Sequence, residues 1–171
     1  WNVVERVQAY THPLWMLLLS AFYAVTHEIY FTSLVVSIVI SLAASVVVAL
    51  GVARGRLAAV SALVALSLSK AFVDYSTSGL ENPLTHLILV SFVWVYADDR
   101  RSTRRVALLA TLAALGMVNR IDAGLLMLPA LAHALWETRS RRSVIAGLLG
   151  FLPLVAWELF SLFYYGAAVP N

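Results

Sequence analysis

Residues 33–53 read SLVVSIVISLAASVVVALGVA, with no charge and nothing more polar than serine. Crossing a hydrocarbon core about 30 Å thick takes roughly 20 apolar residues as a helix, so this stretch is long enough to span a membrane. A barrel strand would alternate apolar and polar residues, and this one does not. Its serines, Ser33, Ser37, Ser41 and Ser45, recur every four residues. They therefore line one helix face, where small side chains let a second helix approach closely.

Outward from this stretch, further apolar runs fall at about 14–26, 57–73, 84–97, 106–118, 123–136 and 144–163. The breaks between runs are short and polar: His27-Glu28 and residues 54–56, 74–82, 98–105, 119–122 and 137–143. The composition agrees. Of 171 residues, 61% are hydrophobic and 12% charged, at a mean hydropathy of +0.85. A soluble domain carries about 45–50% apolar and about 25% charged residues, so a soluble fold is excluded. The length allows about six or seven spans and no sizeable soluble domain. There is no cysteine, which removes disulfides, thiolate metal sites and cysteine nucleophiles. His12, His27, His86 and His133 show no paired ligand spacing, so no metal site is expected. The first residues lack the basic-then-apolar order of a signal peptide. The chain starts without methionine and stops just after a hydrophobic run, so we expect a piece of something longer.

The arginines orient the runs. Nine of eleven fall in three breaks: Arg54 and Arg56; Arg100, Arg101, Arg104 and Arg105; Arg139, Arg141 and Arg142. Two apolar runs separate each break from the next, so all three lie on one side, and excess Lys and Arg mark that side as cytoplasmic. Their role there is to set orientation and touch anionic lipid rather than nucleic acid. The run 14–26 is short against the membrane, and aromatic residues (Trp15, Phe22, Tyr23, then Tyr30 and Phe31) cluster along it. It reads as an interfacial helix. The expected fold is an all-α polytopic membrane helix bundle of about six spans plus one interfacial helix. Residues 1–30 form an outer-loop segment and that helix, 31–163 hold the six spans, and 164–171 start another outer loop. The location is the cytoplasmic (inner) membrane.

The net charge of +3 is then a sum over two unlike faces. Five of nine acids, Glu5, Glu28, Asp74, Glu81 and Asp122, sort to the outer face, with Arg6 and Arg120 and with Lys70 close by. Carboxylates, arginine, His12 and hydroxyls converging there make a polar cleft suited to a lipid headgroup and a sugar. Blander roles stand beside this one. Arg120 and Asp122 can end a helix at the interface, Glu5 and Arg6 can form a local pair, and Lys70 and Asp74 have i,i+4 spacing for an ion pair. Glu158 lies within the last run and should face the bundle or a wet cavity.

Four blocks carry a resemblance. Asn2, Glu5, Arg6, Val7, Thr11 and Trp15 follow the pattern N-x-G-E-R-V-x-x-x-T-x-x-x-W, with Val4 in the glycine position. Ser78, Gly79, Leu80 and Glu81 read S-G-L-E; Arg120, Ile121 and Asp122 stand where R-P-E is usual; Tyr164, Tyr165, Gly166, Pro170 and Asn171 end the chain. In this order they resemble the polyprenyl-phosphate-sugar-dependent glycosyltransferases of the GT-C superfamily, particularly the branch of cell-wall terminal arabinofuranosyltransferases. The resemblance implies transfer of a sugar from a polyprenyl-phosphate donor to a glycan, lipid or protein acceptor outside the cytoplasmic membrane. It places the general base, an aspartate of the first outer loop, upstream of Trp1, so no catalytic residue is expected in this chain and residues 1–171 alone should be inactive. Arg120 is the candidate for gripping the phosphate, through paired hydrogen bonds. Glu81 and Asp122 are candidates for orienting sugar hydroxyls or the arginine, and His12 and Tyr165 for donating hydrogen bonds. Glu5 and Arg6 complete the substrate-binding set. The need for a divalent cation stays open, as does an alternative class, a transporter or flippase for a lipid-linked sugar, which would show broken helices at the bilayer midplane.

Overall fold

The computed structural model describes residues 11–166, so Glu5 and Arg6 lie outside the described residues. All secondary structure within them is helical. Helix α1 (Pro13–Thr26) opens on a proline, whose missing N–H costs nothing in the first turn. It ends where His27 takes a left-handed conformation (φ 54°). Helix α2 (Tyr30–Val47) is started by Glu28, whose two carboxylate oxygens accept the amides of Tyr30 and Phe31 at 2.8 and 2.7 Å. These are among the donors that a helix N-terminus leaves unsatisfied. A π-helical turn, Val48–Val52, extends α2.

Helices α3 (Arg56–Leu68) and α4 (Lys70–Ser76) come from a single apolar run but meet at 72°. The Ser69 hydroxyl causes the restart by capping the Phe72 amide. Lys70 and Asp74 form the expected ion pair. Helices α5 (Asn82–Tyr96), α6 (Thr103–Asn119) and α7 (Ala123–Thr138) follow, then α8 (Arg141–Gly150) and α9 (Leu152–Tyr165). The last two derive from one run and bend by 42° at Phe151, because Pro153 in the first turn of α9 cannot donate back to the preceding turn.

The seven apolar runs are therefore helical, but they do not appear as six uninterrupted spans. Among the described residues one helix, Tyr30–Val52, is long and apolar enough to cross a membrane, and up to three crossings are reached if each bent pair is one span. Pro13–Thr26 and Asn82–Tyr96 are shorter apolar helices.

Helix α6 is the axis of the packing. Val106, Leu109, Ala110 and Ala113 are fully buried against Ile88 and Phe92 of α5 and Met127, Leu131 and Ala134 of α7. Its small residues admit α8 at short range: a Cβ on Gly150 would stand 2.6 Å from that of Ala110. Helix α2 packs along α5, and Ser37 and Ser41 of its serine face are buried. Glu158 on α9 is half-buried, one turn from the buried Ser161.

Short connections make α5, α6 and α7 antiparallel, and so two polar clusters form at opposite ends. Arg105 and Arg120 are 15 residues apart on α6 and its cap, or about 22 Å at 1.5 Å per residue. At the Arg105 end that guanidinium is buried; it donates to Glu137 Oε2 (3.2 Å) and Tyr96 O (2.6 Å) and lies over the Tyr96 ring. Arg101 adds a pair to Glu137 Oε1 at 3.4 Å. The Arg105 hydrogen bond, with Arg101 and His133 nearby, holds the Glu137 carboxyl below the usual range. This arginine-rich break thus also ties three helices together, beyond the orienting role its composition predicts.

Candidate functional site

The other end holds Arg120 with the acids Glu81 and Asp122. The turn before α5 contains Gly79 in the left-handed region (φ +73°), a conformation only glycine adopts at no steric cost. The turn is closed by Ser78, whose hydroxyl donates to Tyr75 O (3.0 Å) and accepts the Leu80 amide (3.2 Å). The Gly79 carbonyl accepts Trp15 Nε1 of α1 at 2.9 Å, which fastens α1 to the turn. Glu81 follows at the cap position of α5 with its side chain 8% exposed.

A carboxylate so enclosed needs partners. Glu81 Oε1 accepts a hydrogen bond from Arg120 Nη1 at 3.1 Å, and His12 Nε2 stands 3.1 Å from the same oxygen. Arg120 ends α6 in extended backbone and turns its guanidinium across the short loop to α7, where Nε and Nη2 meet the two oxygens of Asp122 at 3.1 and 2.9 Å. Three of the five guanidinium N–H bonds are thus spent on carboxylates, which keeps the arginine charged and fixes its plane. The Arg120 hydrogen bond and charge hold the Asp122 carboxyl below its ordinary range, and Asp122 and Glu81 together raise the guanidinium further above its own.

Beside this cluster lies a cleft of about 700 Å³ walled by α1 (His12, Trp15, Met16, Tyr23) and by the turn Gly79 to Glu81. An aromatic wall facing a buried carboxylate, with His12 and Ser20 at the sides, suits a polyhydroxylated ring: the apolar face stacks and the hydroxyls donate to oxygen. A second groove of about 640 Å³ lies between α1 and α2. Its lining is apolar except at Thr26, Glu28 and Thr32.

The fold therefore unites four of the sequence-predicted residues, His12, Glu81, Arg120 and Asp122. Tyr165 is not brought to them; it closes α9, edge-on to Tyr164 and Phe160. Sequence reasoning assigned no site role to Trp15, Thr85 or Asn119. Asn119 Nδ2 donates to Glu81 O (3.3 Å) and Thr85 Oγ1 (2.9 Å), and the Thr85 hydroxyl donates to the same carbonyl at 3.2 Å. The available signal was an amide at the end of an otherwise apolar run, directly before Arg120.

A helical membrane protein with a charged cleft at one end of its bundle fits the class of lipid-linked-sugar transferases. The family model described as dolichyl-phosphate-mannose-protein mannosyltransferase matches residues 11–162. The chain belongs to that family, and is thereby a membrane glycosyltransferase of the GT-C superfamily that uses polyprenyl-phosphate-linked sugars. No curated protein and no solved structure matches it.

Proposed function

We propose that this chain carries the sugar-handling cleft of an enzyme that moves a pentose or hexose, with arabinofuranose the specific expectation, from a polyprenyl-phosphate donor to a glycan, lipid or protein acceptor outside the cytoplasmic membrane. The chain is multi-pass, with the cleft facing outward. The observation that carries this reading is Arg120 joined to both Glu81 and Asp122 beside the cleft, at the end of α6 away from the arginine-rich break. In this role Glu81 accepts from sugar hydroxyls, and Arg120, held by Asp122, offers its two further N–H bonds to a phosphate oxygen. A leaving phosphate is already a weak base, so it needs charge stabilisation more than a proton. His12 borders the cleft and donates to substrate once released from Glu81. Glu5 and Arg6 are further contacts, and the general base is an aspartate of the same outer loop, upstream of Trp1.

The bends at Ser69 and Phe151, each inside an apolar run, favour translocation of a lipid-linked sugar instead. A radiolabelled-donor assay on the full-length membrane protein separates the two. We expect label to appear in the acceptor and to fall at least about 10-fold with Arg120→Ala or Glu81→Gln, since loss of one donor to a developing charge commonly costs more than this. Donor that crosses vesicles without transfer, or wild-type transfer in both variants, overturns the reading.

A further inference from the structure

We propose that Asn119 is a positioning residue of this site: through the Glu81 main chain it sets where the Glu81 carboxylate meets Arg120 and the substrate. The inference rests on the glycosyltransferase reading above. Three observations carry it. Asn119 is fully buried at the last position of α6, and its side chain reaches across to α5 rather than to its own helix. Its Nδ2 donates to the backbone carbonyl of Glu81 and to Thr85, while the next residue, Arg120, holds the Glu81 carboxylate. The pair Asn119-Arg120 therefore grips both ends of one residue, the main chain by an amide and the side chain by a guanidinium. Finally, Asn119 Oδ1 is buried without a hydrogen-bond partner among the described residues. An amide kept dry with half of its polar atoms unmatched is costly in packing terms, and leucine would fill the space without that cost. What leucine cannot do is fix the rotation of the first turn of α5, on which the direction of Glu81 depends.

The test is a double-mutant cycle on the full-length enzyme, reading kcat and KM for lipid-linked donor and, separately, Tm. Asn119→Ala is expected to lower kcat about 10-fold or more. In a Glu81→Gln background it should lower kcat no further, while lowering Tm by as much as in the wild type. A structural residue would instead multiply the two kcat losses, or leave kcat untouched and move only Tm; either result overturns the inference. Thr85→Ala removes the same junction from a less buried side chain and serves if Asn119→Ala fails to fold. It should reproduce the loss of kcat, and Thr85→Ser, which keeps the hydroxyl, should restore it. Absence of transfer by the wild-type enzyme refutes the glycosyltransferase reading, whereas transfer by the wild type with unaltered kcat in Asn119→Ala and Thr85→Ala refutes only the role of Asn119.

Discussion

Arg120 Nη1 meets Glu81 Oε1 at 3.1 Å across 39 positions of the chain, with α5, α6 and their connecting loop between them. The contact exists because α5 and α6 are antiparallel, which puts the start of one beside the end of the other. A second pair, Arg120 with Asp122, is local and needs only the tight turn between α6 and α7.

Arg120→Lys tests the fork. Lysine keeps the charge but cannot bind both Asp122 oxygens while reaching Glu81. Transfer by the full-length enzyme should fall about 10-fold or more, with Tm changed by less than a few degrees; activity equal to wild type would show that only charge matters.

The Asp122 carboxyl titrates below its ordinary value in the folded state because Arg120 binds its ionised form. Its contribution to stability is therefore complete above the ordinary carboxylate pKa of about 3.9 and is lost as pH falls through the lower, folded value. Both partners are partly solvated, so the contribution is below about 1 kcal/mol. Melting in detergent should show Asp122→Asn less stable than wild type near neutral pH, with the gap closing as pH falls below the ordinary carboxylate range. A gap independent of pH would contradict this.

Gly150 permits the close crossing of α6 and α8. A methyl there would overlap Ala110 Cβ at 2.6 Å and approach backbone atoms of Thr111 and Ala107 at 3.0 and 3.1 Å. Gly150→Ala should cost about 1–3 kcal/mol. Gly147, whose nearest neighbour would be 3.5 Å away, is the control: Gly147→Ala should leave the unfolding midpoint within error. Equal effects of the two would refute the proposed crossing.

Trp15→Phe keeps an aromatic wall in the cleft but removes the donor to Gly79 O. A lost hydrogen bond at a half-enclosed carbonyl costs about 0.5–1.5 kcal/mol. We expect a matching fall in Tm and a higher KM for the lipid-linked donor; an unchanged KM would detach α1 from the site.

In a full-length protein with any cysteines outside residues 1–171 replaced, single cysteine substitutions report topology directly, since residues 1–171 hold none. Ser78→Cys should react with an impermeant maleimide in intact cells, and Asp99→Cys only after permeabilisation. The reverse pattern would invert the orientation.

Much of this molecule follows from its sequence alone. Each apolar run became helix, because a chain of this hydropathy must satisfy its backbone internally. The Lys70–Asp74 pair and the Arg120–Asp122 fork depend on spacings of four and two residues, which are visible without a fold. The breaks at Ser69 and Phe151 were not read, since a serine cap and a proline in a new first turn look like ordinary members of an apolar stretch until the helix direction is seen. The tertiary structure decided which end of each helix meets which. It brought His12, Glu81 and Arg120 into one cluster, left Tyr165 among the rings of α9, and drew in Asn119, whose partners lie on another helix. Local pattern sets secondary structure and side chain pairs within a turn or two. Contacts between helices depend on packing against α6, where alanine and glycine set how closely its neighbours approach.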